Sequence, residues 1–208
     1  MSMSTPWPLP RIIGLIGPRR VGKDTIATAL HDAADYQPLA LATPLLTLVT
    51  TLWPDGFPRT AMTDLGATIR ARDPLALIHV VTRTITAAPA NQRWVITDIR
   101  LPLEYTTFRT TFGSAFAAIA VTADPAIRAV RIAESHRSDG LRETPTSGQD
   151  ITETWGSTPP ADVNAVWDTS DVTGPHPSTV WFSRFRDPQW WAAHPVAPSV
   201  SHGILRSS

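Results

Sequence analysis

An α/β fold, a parallel sheet flanked by helices, is predicted by three features of this 208-residue chain. Short apolar runs alternate with helix-length segments, the order that builds a sheet with helical crossovers. The clearest runs are apolar almost throughout instead of alternating with polar residues, as in strands covered on both faces. The first run also passes straight into a glycine-bounded turn and then a helix, a junction with chemical meaning.

The first strand is Arg11–Ile16, and the first helix is Lys23–Ala34. Gln37–Ala42 reads as a short second strand, leading through Pro44 into Leu45–Trp53. Pro54–Pro58 is a turn cluster. Thr63–Arg72 and Leu75–Ala87 are helical, broken before Pro74 because a residue preceding proline avoids the helical region. Trp94–Thr97 is a strand ending at Asp98. Ala115–Val121 is the next, followed by Asp124-Pro125 at a helix start. That helix runs from Ala126 to about Glu134. Val163–Trp167 is the last strand. The chain divides into an N-terminal extension (1–10), one domain (11–170) and a tail containing Pro, Trp and Arg (171–208). Within the domain, 126–160 is polar enough in its later part to close over a ligand as a lid.

The first strand ends in Gly17-Pro18-Arg19-Arg20-Val21-Gly22-Lys23-Asp24-Thr25, a G-x-x-x-x-G-K motif. Of the 18 lysines and arginines in the chain, Lys23 alone is lysine. A chain that otherwise uses arginine has kept one compact ammonium where a cation must fold back over a loop. Arginine's planar fork cannot replace it as a point charge on phosphate oxygens. The glycines let backbone N–H groups turn toward phosphates, and the following helix adds its positive end. Gly17, Arg19, Arg20, Val21, Gly22, Lys23, Asp24 and Thr25 are therefore the candidate ATP-binding set. Ser or Thr usually follows the lysine and serves magnesium; here Asp24 stands there, with Thr25 next, and both are candidate Mg2+ ligands. The alternative, a chance glycine-rich turn with Asp24 as a helix N-cap, is disfavoured by the strand before, the helix after and the unique lysine.

Composition bounds the rest. Charge is balanced at 18 against 18, which does not advertise extended binding to nucleic acid. With no cysteine, disulfides, thiolate nucleophiles and cysteine–zinc sites are excluded. No apolar run reaches the roughly 18 residues of a membrane span, and the first ten residues lack the layout of a secretion signal. A soluble cytoplasmic protein without a membrane partner is expected.

In a parallel sheet, ligands lie beyond the carboxyl ends of the strands. The second such end with chemistry is Thr97-Asp98-Ile99-Arg100-Leu101-Pro102-Leu103-Glu104. Asp98 is placed to anchor magnesium or act as a base, and Arg100 to grip a phosphate bidentately. A simple Asp98–Arg100 ion pair at the strand's exit is the alternative.

These two motifs together resemble the bacteriophage-type deoxynucleoside monophosphate kinases, within the P-loop nucleoside monophosphate kinase family. The Gly-Lys-Asp-Thr variant is the more specific half. Leu65–Pro74 is similar to the family's Leu-Gly segment, which reaches an Arg and then Asp-Pro; Ala161–Asp168 is similar to its late strand. The resemblance covers roughly Arg11–Ser170. It implies a nucleoside monophosphate kinase fold, ATP with Mg2+ as donor and a deoxynucleotide acceptor. It also implies that Arg70, Asp98, Arg100 and Glu104 face the acceptor, and, for a phage-encoded enzyme, a place in the host cytoplasm. The chain lacks the family's His-x-Ser-Glu element after the lid helix, the nearest match being Thr144–Gly148. It also lacks an amphipathic closing helix after Asp171.

Phosphoryl transfer needs cations over the moving group. Arg131 and Arg137 are the lid candidates, with Arg128 divided evenly between lid and solvated face. In the tail, Val180–Arg186 and Trp190-Trp191 interleave aromatics with arginine, a pattern that packs onto a domain or stacks unpaired bases. Packing is the favoured reading. Three functions follow: a deoxynucleoside monophosphate kinase, a kinase of 5-hydroxymethyl pyrimidines within DNA, or a nucleotide-binding regulator without turnover. The expected partner is a small nucleotide, with DNA second; a homodimer is compatible with the sequence.

Overall fold

The computed structural model describes residues 9–57, 59–138, 158 and 160–170, with only the backbone course of 59, 60 and 135–138. The tail at 171–208, most of the N-terminal extension and the lid region at 139–157 lie outside the described residues.

Among the described residues, five strands form one sheet: β1 (Ile12–Ile16), β2 (Tyr36–Leu39), β3 (Arg93–Ile99), β4 (Phe116–Thr122) and β5 (Ala165–Asp168). Their order is β2-β3-β1-β4-β5, and every neighbouring pair is parallel. Six helices connect them: α1 (Lys23–Ala34), α2 (Thr43–Leu52), α3 (Arg59–Arg72), α4 (Ala76–Ala87), α5 (Pro102–Phe112) and α6 (Pro125–Ser138). The predicted α/β fold is the observed one.

The continuous apolar character of β1 is explained by its central position. Ile13 and Leu15 pack with Ile26 and Leu30 of α1 on one face. Ile12 and Ile16 pack on the other with Leu77, Ile78, Val81 and Ile85 of α4 and Tyr105 and Phe108 of α5. Each such large side chain, taken fully out of water, contributes about 1.5–3 kcal/mol before entropic costs. Arg11, just before β1, closes the far end of α4. Its guanidinium donates to the Ile85 carbonyl at 2.9 Å and, further along, to the Gln92 carbonyl at 3.2 Å.

Several bounds shift by a few residues, and three differences from the sequence reading have a clear physical cause or bear on the site. β2 stops at Leu39 instead of Ala42, because the N–H groups of Leu41 and Ala42 bond to Asp98 and turn the chain into α2. β5 begins at Ala165, two residues late. Asn164 occupies the approach, accepting from the Ala118 N–H through Oδ1 and donating its own N–H to the Ala118 carbonyl. Helix α5 is absent from the sequence reading, which leaves Leu101–Glu104 as the exit of a strand.

Candidate active site

β1 delivers the glycine-bounded loop at the carboxyl end of the sheet, between its neighbours β3 and β4. Gly17 leaves β1 so close to β4 that a Cβ there would lie 2.5 Å from the Val121 carbonyl oxygen, which is backbone and cannot yield. Gly22 caps α1 with φ 97°, ψ 16°, left-handed geometry that glycine adopts without strain. Arg20 also has positive φ, at 61°. Lys23 is 7% exposed, and its Nζ donates to the carbonyls of Gly17 and Pro18 at 2.7 and 2.6 Å. The lone lysine is thus bent back over its own loop. Asp24 and Thr25 stand exposed in the first turn of α1.

Asp98 lies on β3 beside an irregularity in the ladder. Gly14 pairs with Ile96, but Ile16 pairs with Ile99, so β3 uses one residue more than β1 over the same distance. Ile96 and Ile99 consequently share one core cluster although three positions apart. Such an insertion re-aims the side chains around it. The Asp98 carboxylate turns to the start of α2, where Oδ1 accepts from Leu41 N–H at 2.6 Å and Oδ2 from Ala42 N–H at 3.1 Å. Burial pushes its pKa up. Those two N–H groups and the charges of Arg100 and Lys23 pull the other way without cancelling the rise.

Glu104 is held in the same manner at the start of α5. Its Oε2 accepts from the N–H groups of Arg100 and Leu101 at 2.7 and 3.0 Å, the carboxylate half of a capping box. Burial raises its pKa too, opposed by those N–H groups, reinforced by Asp98 and opposed by Arg70. These mutual influences bring Lys23, Arg70, Asp98, Arg100 and Glu104 into one electrostatic neighbourhood, from three separate parts of the sequence. Gly66, one turn before Arg70 on α3, lies tightest against Leu45: a Cβ there would sit 3.1 Å from Leu45 Cδ1 and, in ordinary contact, 3.4 Å from both terminal guanidinium nitrogens of Arg70.

The α6 arginines are placed around the loop's outer side. Arg128 Nε donates to the Arg19 carbonyl at 2.8 Å. Arg131 donates to the hydroxyl and carbonyl of Thr169 at 3.0 and 2.7 Å. Arg137 falls near the end of α6, where the side chain lies outside the described residues. The sequence reading passes over Thr169. It is 5% exposed and lies just past β5, and its hydroxyl is 2.6 Å from the Val21 carbonyl oxygen.

The residues fit a magnesium nucleotide. Among the described residues no three His, Cys, Asp or Glu side chains gather to cage a metal. Mg2+ commonly keeps several waters and binds through one or two protein groups plus substrate phosphates, so Asp24 and Thr25 beside a phosphate loop suffice in kind.

No protein-family model matches the chain, and no curated protein sequence matches it. Solved structures do. One, provisionally assigned as a kinase, from Chloroflexus aurantiacus J-10-fl, aligns over 90% of this chain and 99% of its own, with TM-score 0.55 and 17% identity. A gluconokinase from Sinorhizobium meliloti 1021 aligns over 89% and 99%, with TM-score 0.51 and 13% identity. Both share with this chain the fold described above, a parallel sheet flanked by helices. In that fold the loop from Gly17 to Lys23 lies where β1 meets α1, and Asp98 lies one strand away on β3. No described helix is long and apolar enough to cross a membrane.

Proposed function

We propose that this protein is an ATP-dependent phosphotransferase whose acceptor is a deoxynucleoside monophosphate, giving ADP and a deoxynucleoside diphosphate. The observation that carries the reading is Lys23, buried and folded over its own loop at the end of the central strand, with the Asp98 carboxylate near enough to feel its charge.

The nucleotide's phosphates would be held by backbone N–H groups of the loop, by Lys23 and by the N-terminus of α1. Asp24 and Thr25 would hold Mg2+, which supplies charge neutralisation on the phosphates. Arg100 and Arg70 are the acceptor-side cations, suited to a second phosphate. An oxygen of the acceptor phosphate forms the new bond to the γ-phosphorus as the β–γ bridging bond breaks. That oxygen is already ionised at neutral pH, so no base is needed. This suits Asp98, whose two oxygens are both engaged as acceptors by Leu41 and Ala42. Its part is to fix the α2 start and to set the charge around Arg100 and Lys23. An alcohol acceptor, whether in DNA or on a sugar acid, would ask Asp98 for a proton-accepting role that a phosphate acceptor does not need. Arg131 and Arg137, at the lid's root, are proposed to shield the transferring group, with 126–160 as the lid. The test is formation of ADP and deoxynucleoside diphosphate in equal amounts from ATP, Mg2+ and a deoxynucleoside monophosphate.

A further inference from the structure

A phosphate loop works only if its peptide N–H groups face the ligand, and a trans peptide points its C=O and N–H in opposite directions. Holding a loop carbonyl from behind therefore aims the next residue's N–H forward. Two carbonyls of this loop are held from behind by residues outside it. The Arg19 carbonyl accepts from Arg128. The Val21 carbonyl accepts from the Thr169 hydroxyl at 2.6 Å, across 148 residues of sequence.

The Val21–Gly22 peptide is the one that matters most, since it lies between the left-handed Arg20 and Gly22 and immediately precedes Lys23. The direction of the Thr169 hydroxyl proton is constrained as well. Its oxygen accepts from Arg131 Nη1 at 3.0 Å, leaving the proton for Val21 O at 2.6 Å or for Thr122 O at 3.1 Å, and the shorter contact is to the loop. The residue is itself anchored, donating its N–H to the Thr122 carbonyl at 2.9 Å at the end of β4. Its methyl, hydroxyl and Cβ also pack beside the Gly22 α-carbon, where an added Cβ would meet them at 3.4–3.6 Å.

We propose that Thr169 is a positioning residue for phosphate binding: its hydroxyl sets the Val21–Gly22 peptide so that the Gly22 N–H faces the nucleotide's phosphates, with Arg131 fixing that hydroxyl's orientation. The inference rests on the loop being the nucleotide site. It assigns to the strand end after β5 a function in triphosphate affinity that neither the loop motif nor the acceptor residues supply.

The test compares wild type with Thr169→Val, Thr169→Ser and Lys23→Met by calorimetric titration with Mg·ATP and, separately, with adenosine, alongside thermal melts. Valine keeps the shape and removes the donor. It should weaken Mg·ATP by about tenfold, the scale of one lost hydrogen bond that orients a charged ligand's partner, while leaving adenosine unchanged. Serine restores the donor without the methyl and should return Mg·ATP affinity to within about threefold of wild type. Wild-type affinity in the valine variant would overturn the proposal, as would equal losses for Mg·ATP and adenosine. If valine prevents folding, serine decides alone: a folded serine variant with a tenfold loss would mean that the methyl packing matters and the hydroxyl does not. Lys23→Met separates the two levels. If it weakens Mg·ATP while Thr169→Val does not, only this inference falls; if it too binds as wild type, the nucleotide site itself is wrong and both fall.

Discussion

Replacing Lys23 by arginine keeps the charge and tests whether the site needs its shape. The ammonium sits between two carbonyl oxygens, Gly17 O at 2.7 Å and Pro18 O at 2.6 Å, on a side chain that is 7% exposed. A planar fork is longer than the ammonium arm and cannot donate into that gap without pushing the loop away or swinging out over the phosphates. Losing one hydrogen bond to a charged group costs about 1.5–3 kcal/mol. Losing one preorganised contact to developing charge costs about 2.7–4 kcal/mol. The two ranges meet near 3 kcal/mol, or roughly a hundredfold in rate. Lys23→Arg is therefore predicted to lose at least about a hundredfold in kcat, measured as ADP release with saturating acceptor on protein that thermal melting shows to be folded. Turnover within a few-fold of wild type would refute the argument, since a lysine that arginine can replace is not a phosphate-loop lysine.

Other perturbations separate the parts of the site. Gly17→Ala should abolish nucleotide binding and lower the melting temperature, because the new Cβ would lie 2.5 Å from the Val121 carbonyl oxygen; unchanged titration with Mg·ATP would contradict that placement. Arg100→Ala should raise the acceptor KM far more than the ATP KM, and equal damage to both would move Arg100 to the donor side. Glu104→Gln keeps an amide oxygen that can accept from the Arg100 and Leu101 N–H groups and removes a buried charge. Burial raises the folded-state pKa of Glu104, so ionising it in the native state costs stability: wild type loses that contribution as pH rises from the ordinary carboxylate range through the raised value. The melting advantage of the glutamine variant should therefore grow as pH rises above the ordinary carboxylate value of about 4.3, and an advantage that shrinks with rising pH would contradict it.

Local chemistry was legible in the sequence where neighbours in the chain decide it. Helix α1 has its predicted bounds, Lys23–Ala34, because a left-handed Gly22 opens it and a left-handed Asp35 closes it. Lys23 announced itself by composition. What the sequence hid depends on distant partners. β2 ends early because Asp98, 57 residues away from Leu41, takes the N–H that would have continued the ladder. The extra residue in β3 upsets the two-residue alternation by which strand faces are read. Helix α5 carried its signals, Pro102 at the first turn, Glu104 three residues after the cap and an apolar stripe of Tyr105, Phe108 and Phe112. Its four threonines have low helix propensity. One of them resolves the conflict by back-bonding, Thr106 Oγ1 to the Pro102 carbonyl at 2.9 Å. Thr169 carried no signal, since a single hydroxyl gains meaning only from the Val21 carbonyl that the fold brings to it.

The central claim is phosphoryl transfer to a mononucleotide, and it is tested most directly by following the label from γ-labelled ATP. The full-length protein is incubated with Mg2+ and, in separate reactions, each deoxynucleoside monophosphate, each ribonucleoside monophosphate, gluconate, and DNA carrying 5-hydroxymethyluracil. The account predicts label in a deoxynucleoside diphosphate, formed one for one with ADP. Label appearing only in the polymer or the sugar acid, or only as free phosphate whatever acceptor is offered, would contradict it.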